Sequence, residues 1–219
     1  MKIDNSYSLD YLNGFEHTKL YQNNNMFKMN SDSCLLGNFI KLKDNVNVLD
    51  IGTNNGVLLL YASRFNVDLF CGIDINKDAL NLAKYNLEFN NIHNFELFNV
   101  DINYFDYPDK FDVILCNPPY FLNSLKSDNI SLMQAKHEDY MPLNTLFSKV
   151  SKLLKENGSF YLVHRPNRIQ DITKHATNNR LYIKTLQYVY SKKTNSAVTI
   201  LIEFTNKECF CNLLENKYI

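Results

Sequence analysis

Short runs of β-branched, aromatic and aliphatic residues recur along the chain: VNVLD ending at Asp50, DLFCGID ending at Asp74, FELFNV before Asp101, FDVILC ending at Cys116 and GSFYLVH from Gly158. Runs of this composition and length predict strands. Between them, residues 57–65 and 78–89 carry Leu, Ala and aromatic side chains at three-to-four spacing, the mark of helices with one apolar stripe. Asn76, just ahead of the second helix, is placed to cap it. Strands alternating with helices predict an α/β fold with a mostly parallel sheet.

The pattern changes near the end. LYIKTLQYVY (181–190) and SAVTILIEF (196–204) are two strand-like runs joined by a short polar connection. They predict a closing antiparallel hairpin rather than another strand-helix-strand unit. No repeat or linker divides the 219 residues, and 45% apolar content suffices for one core, so a single domain over 1–219 is expected.

No run approaches the roughly eighteen apolar residues of a membrane span, and MKIDNSYSLD lacks a signal-peptide layout, so a cytoplasmic protein is expected. The cysteines, Cys34, Cys71, Cys116, Cys209 and Cys211, contain no C-x-x-C. They predict small buried hydrophobes in a reducing compartment, neither disulfides nor a metal site. Net charge is zero, yet residues 1–119 carry nine Lys/Arg against fifteen Asp/Glu and residues 120–219 carry fourteen against eight. A polyanion is therefore expected on the C-terminal half. Asn is frequent, and no role follows from frequency alone.

The candidate chemistry sits at strand ends. Val48-Leu-Asp-Ile-Gly-Thr-Asn-Asn-Gly56 runs from a strand into a tight turn and a helix, where the backbone at Gly52 and Gly56 can approach a ligand closely. Asp74 ends the next strand, where a carboxylate can hold both ribose hydroxyls of an adenosine. Asp101 closes the third strand. One such aspartate is commonly a loop cap; three on neighbouring strand ends point to a ligand at the carboxyl edge of an open sheet.

Over residues 27–119 this pattern resembles the class I S-adenosylmethionine (SAM) methyltransferases. The resemblance implies a Rossmann-like fold, a mostly parallel seven-stranded sheet closed by a C-terminal antiparallel hairpin, and SAM as cofactor. It also implies cofactor contacts from Asp32, Asp50, Gly52, Asn54, Gly56, Asp74 with Ile75, Asp101 with Ile102, and Asn117. Asn54 stands where the family has its middle glycine, and Asn tolerates a left-handed conformation better than other side chains do.

Cys116 is followed by Asn117-Pro118-Pro119-Tyr120. Two consecutive prolines fix the backbone and remove two N–H donors, leaving a site rich in acceptors. An adenine amine is a weak nucleophile because its lone pair is delocalised into the ring. Acceptance of its two N–H groups by the Asn117 side-chain oxygen and the Pro118 carbonyl turns that lone pair toward an electrophilic methyl. Tyr120 supplies a ring on which an extruded base stacks. Asn117, Pro118 and Tyr120 are the expected catalytic residues. Cys116 closes an apolar strand and is expected to pack, not to act as a nucleophile.

The tetrapeptide is shared by adenine methyltransferases of DNA and RNA and by enzymes that methylate a glutamine of release factors, which usually carry a helical domain ahead of the core. Only about 45 residues precede Val48 here. Over nearly its whole length the chain resembles the bacterial tRNA adenine N6-methyltransferases that modify position 37 of a valine tRNA. The marks are Phe27-Lys-Met-Asn-Ser-Asp32-Ser-Cys-Leu-Leu36, Ala135-Lys-His-Glu138, Leu153-Leu-Lys-Glu-Asn-Gly158 with Val163-His-Arg-Pro166, and Thr199-Ile-Leu-Ile-Glu203. This implies tRNA as substrate and residues 1–45 as a segment covering the cofactor of a 46–219 catalytic core. Expected substrate contacts are Pro119, Tyr120, Lys126, His137, Arg165, Arg168, Lys192 and Lys193. His137 with Glu138 is expected to organise the substrate loop, or else to cap a helix or sit at the surface; His164 and Arg165 are expected to reach phosphate, or else to form a solvated strand end; the two lysines have an ordinary exposed turn as their alternative.

Overall fold

A computed structural model describes residues 3–118 and 141–219. The strands are β1 (Tyr7–Leu12), β2 (Phe15–Asn23), β3 (Val46–Ile51), β4 (Val67–Asp74), β5 (Phe95–Asn99), β6 (Phe111–Cys116), β7 (Leu154–His164), β8 (Tyr182–Tyr190), β9 (Ala197–Thr205), β10 (Asn212–Leu213) and β11 (Lys217–Tyr218). The helices are α1 (Ser31–Phe39), α2 (Val57–Ala62), α3 (Lys77–Phe89), α4 (Leu143–Leu153) and α5 (Ile169–Asn178). The strands read from the sequence are present within a few residues of their expected bounds. Asn76 caps α3, its side-chain oxygen accepting from the Asp78 and Ala79 amides.

The main sheet runs β10-β8-β9-β7-β6-β3-β4-β5. Strands β3 to β7 are parallel, and β9 is antiparallel to both β7 and β8. This is the expected parallel sheet with its closing hairpin. Two short strands, β10 and β11, extend it by pairing parallel to β8; both are too short and too polar for their sequence to announce.

Alternate residues of the central strands feed two cores. Val48, Val113, Tyr161, Val163 and Leu201 face α1 and α2. Leu49, Ile114, Phe160, Leu162 and Ile202 face α4 and α5. Burial on both faces is why these strands lack a polar alternation. In the second core Phe147, Phe160 and Phe204 meet with ring centroids 5.3–5.8 Å apart.

The N-terminal hairpin β1–β2 forms its own sheet and packs on α3. Asn86 of α3, fully buried, accepts from the Tyr21 amide (2.8 Å) and donates to the Tyr21 and Asn55 carbonyls (3.0 and 2.9 Å). Asn90 repeats the device one turn on with Lys19. Cys71 and Cys116 are buried as expected, but Cys209 and Cys211 are exposed, because they lie beyond β9 on a stretch that packs against nothing large. Among the described residues no helix is long and apolar enough to cross a membrane.

Candidate active site

Parallel register brings the carboxyl ends of β3, β4, β5 and β6 side by side: Ile51 lies opposite Ile73 and Cys116, and Asp74 opposite Asn99. The turn after β3 folds back over β4, with the Gly52 and Thr53 amides both donating to the Ile73 carbonyl (2.9 and 3.0 Å). That fold-back needs left-handed backbone at Gly52 (φ 72°), Asn54 (φ 49°) and Gly56 (φ 82°). Asn54 thus adopts the conformation in which the family uses glycine. Its side chain has a use that glycine lacks, since Nδ2 donates to the Phe27 carbonyl (2.9 Å) and ties the N-terminal segment to the loop.

Asp74 sits at the centre of this edge, accepting at Oδ2 from the Asn54 amide and at Oδ1 from the Asn76 amide (both 2.8 Å). A carboxylate accepts about four hydrogen bonds, so one residue can order the loop and also grip a diol. Ile75 beside it is half exposed, and Ile102 beyond β5 is buried. Asp101 accepts at Oδ1 from the Asn103 amide (2.7 Å) and Nδ2 (2.8 Å), which fixes the turn after β5.

Beneath the loop lies a group of buried polar atoms with no hydrogen-bond partner among the described residues: both oxygens of Asp50, the Thr53 hydroxyl and both side-chain atoms of Asn55. Burial pushes the Asp50 carboxyl up to about 7, and Asp74 adds to this; the Thr53 hydroxyl opposes it from outside hydrogen-bonding geometry. Unpaired buried polar atoms are costly and are expected where a ligand completes them. A loop backbone bent over an orphaned carboxylate, next to an acid able to grip a diol, fits a cationic nucleoside such as SAM.

Asn117 follows β6 at the same edge, and its Nδ2 donates to Ser33 Oγ (2.9 Å). Ser33 is in the first turn of α1, whose cap Asn30 accepts at Oδ1 from the Ser33 amide (2.9 Å) and hydroxyl (3.2 Å). Sequence reasoning gave neither Asn30 nor Ser33 a role. An Asn three residues before a Ser ahead of an apolar run does signal a helix cap, but nothing local shows that the Ser faces a residue 84 positions on.

Asp32 is buried, with Thr199 Oγ1 donating to its Oδ1 (2.8 Å) and Arg165 Nη2 at 3.4 Å from its Oδ2. Arg165 also donates from Nη1 to the Val198 carbonyl and Thr199 Oγ1 (2.9 and 3.2 Å). The pair clamps α1 to β9. His164 is buried, its Nδ1 accepting from the Arg165 amide (2.8 Å), and burial with the nearby Arg168 and Arg165 charges lowers it to about 4. It is therefore neither a solvated strand end nor a cation for phosphate. Arg168 is partly exposed and donates from Nε to Asp171 (3.0 Å). Because β9 runs antiparallel to β7, the β8–β9 turn with exposed Lys192 and Lys193 lies at the same sheet edge as Asn117. Pro118 is buried; Pro119, Tyr120, Lys126 and His137 lie outside the described residues.

Residues 42–208 match the family model of the methyltransferase domain. The chain is 33% identical over 187 residues to a tRNA1(Val) (adenine(37)-N6)-methyltransferase of Cytophaga hutchinsonii, covering 82% of this chain and 77% of that protein. It is 31% identical over 201 residues to the enzyme of that name from Bacteroides thetaiotaomicron, covering 89% and 84%. Among solved structures it shares its fold with a predicted O-methyltransferase from Agrobacterium tumefaciens (TM-score 0.64, 17% identity, 86% of each chain). A ribosomal protein L11 methylase from Lactobacillus delbrueckii subsp. bulgaricus is similar (TM-score 0.61, 18% identity, 84% and 82%).

Proposed function

We propose, from the premise that this chain belongs to the methyltransferase-domain family and within it to the tRNA1(Val) (adenine(37)-N6)-methyltransferases, that it methylates the exocyclic amine of an adenine in the anticodon loop of a tRNA, at position 37. The observation that carries the reading is Asn117 at the carboxyl end of β6, held by Ser33 on the edge that also presents Asp50, Asp74 and Asp101. SAM, when bound, supplies a methyl group activated by its sulfonium. Asp74 would grip the ribose, the Gly52–Asn54 backbone would lie along the cofactor, with Gly56 letting the loop seat against Ala83 of α3, and Ile75, Asp101 and Ile102 would surround the adenine. The Asp50 carboxylate balances the ligand's positive charge.

The chain's contribution to the reaction is at the acceptor. The Asn117 Oδ1 and the Pro118 carbonyl each accept one N–H of the adenine amine, which favours the pyramidal nitrogen. Tyr120, with Pro119 ahead of it, holds the extruded base by stacking. No general base is needed, because the proton leaves after transfer. Residues 1–45 act as a cover over the cofactor, a reading supported by the Asn54 to Phe27 link. Arg168, Lys192, Lys193 and Lys126 meet tRNA phosphates, with Arg165 and His137 shaping the same face. The enzyme works in the cytoplasm, where its substrate is.

Purified protein, labelled SAM and an unmodified valine tRNA transcript test the reading. Label in N6-methyladenine at position 37 is expected. Label entering a release factor and no tRNA overturns it.

A further inference from the structure

The orientation of a side-chain amide decides whether it offers an oxygen or an NH2 group, and at Asn117 the surroundings fix that choice. Asn30 Oδ1 caps α1 by accepting the Ser33 backbone N–H, so an oxygen and not the amide nitrogen faces Ser33. The Ser33 hydroxyl, 3.2 Å from that same oxygen, must then donate its single proton to it. What remains on Ser33 Oγ toward Asn117 is a lone pair, which only the NH2 end of the amide can meet, at 2.9 Å. Ser33 is 5% exposed, so water does not scramble this arrangement. The cap of α1 thus runs a one-way chain of donors, Asn117 to Ser33 to Asn30, that turns Asn117 Oδ1 away from Ser33.

We infer that Ser33 is a positioning residue that locks the Asn117 amide oxygen toward the acceptor site and thereby selects a 6-amino purine over a 6-oxo purine. The inference rests on the adenine methyltransferase reading above. An oxygen there accepts from an amine and repels a carbonyl; a flipped amide reverses the preference. A site whose polar groups match one substrate rejects the mismatched analogue because buried groups are left unpaired.

The test uses wild type, Ser33→Ala and Ser33→Thr with two tRNA transcripts, one with adenine and one with hypoxanthine at the methylated position. Ser33→Ala is expected to lower kcat on the adenine transcript on the order of 10- to 100-fold, as loss of support for a positioned polar group does. The KM for SAM stays unchanged. Its preference for adenine over hypoxanthine in competition binding collapses, and Ser33→Thr, which keeps the hydroxyl, restores both rate and preference. A Ser33→Ala enzyme with wild-type kcat and preference overturns the inference. So does one that loses SAM affinity in step with rate, since the hydroxyl then serves the cofactor. A wild type that methylates no tRNA brings down the functional reading itself, and the inference with it.

Discussion

Asp50 makes the sharpest test at the residue scale, because burial, with no hydrogen-bond partner among the described residues, raises its carboxyl to about 7. A folded-state value above the unfolded one means that the native state holds the proton more tightly. Stability is then full below about pH 4 and lost as pH rises toward 7, by at most about 4 kcal/mol. Asp50→Asn is expected to raise the melting temperature of the ligand-free protein at pH 8, with the gain shrinking as pH falls, while weakening SAM binding; a gain independent of pH refutes the assignment. Asp74→Ala is expected to reduce SAM affinity in calorimetry by roughly 1.5–3 kcal/mol or more, since charge-assisted bonds to a diol go. Asn117→Ala is expected to abolish transfer and leave SAM affinity largely intact; near-normal turnover sinks the mechanism. The positions of the acids and of Asn117 were legible because they sit at strand ends that the apolar runs already locate. Asn30, Ser33 and the buried Asn55 were not, because their roles depend on neighbours brought in by tertiary packing.

At the scale of elements, the abundance of Asn acquires a mechanism that frequency alone did not reveal. Of the six non-glycine residues with positive φ among those described, five are Asn: 45, 54, 91, 157 and 195. Others cap α1 and α3 or stitch β2 to α3. With only six glycines in the chain, Asn supplies the left-handed turns that end helices and reverse strands. Asn91 ends α3 in this way, with the Ile92 amide bonded to the Leu87 carbonyl and the Asn91 amide to that of Glu88, the double bond of a Schellman cap. Asn91→Ala is expected to cost about 1 kcal/mol in urea unfolding and Asn91→Gly nothing or a slight gain; equal losses for both deny the conformational role. The β1–β2 hairpin escaped the apolar pattern because FEHTKLYQN alternates too weakly to announce a strand. Its place is set by Asn86 of α3 and by Asn90, which caps that helix, and neither contact is visible in the local sequence because both reach 65 or more positions back along the chain.

For the whole molecule, antiparallel pairing brings two cations of the C-terminal half to the reacting edge: the β8–β9 turn carries Lys192 and Lys193 where Asn117 lies. Replacing both by Glu is expected to weaken tRNA binding and to flatten its dependence on salt by about one unit for each phosphate that is no longer neutralised. Filter binding across a salt series checks this, and an unchanged slope places the docking face elsewhere. The clamp between Asp32 and Thr199, 167 positions apart, has a consequence for how the protein comes into being. A nascent chain carries the glycine loop and Asn117 long before β9 emerges to slot between β7 and β8. Until then Asp32 is without Thr199, and the apolar flank of β7 is an open edge ready to pair with any passing strand. The contact that ties α1 to β9 therefore closes only once the last long strand has been made.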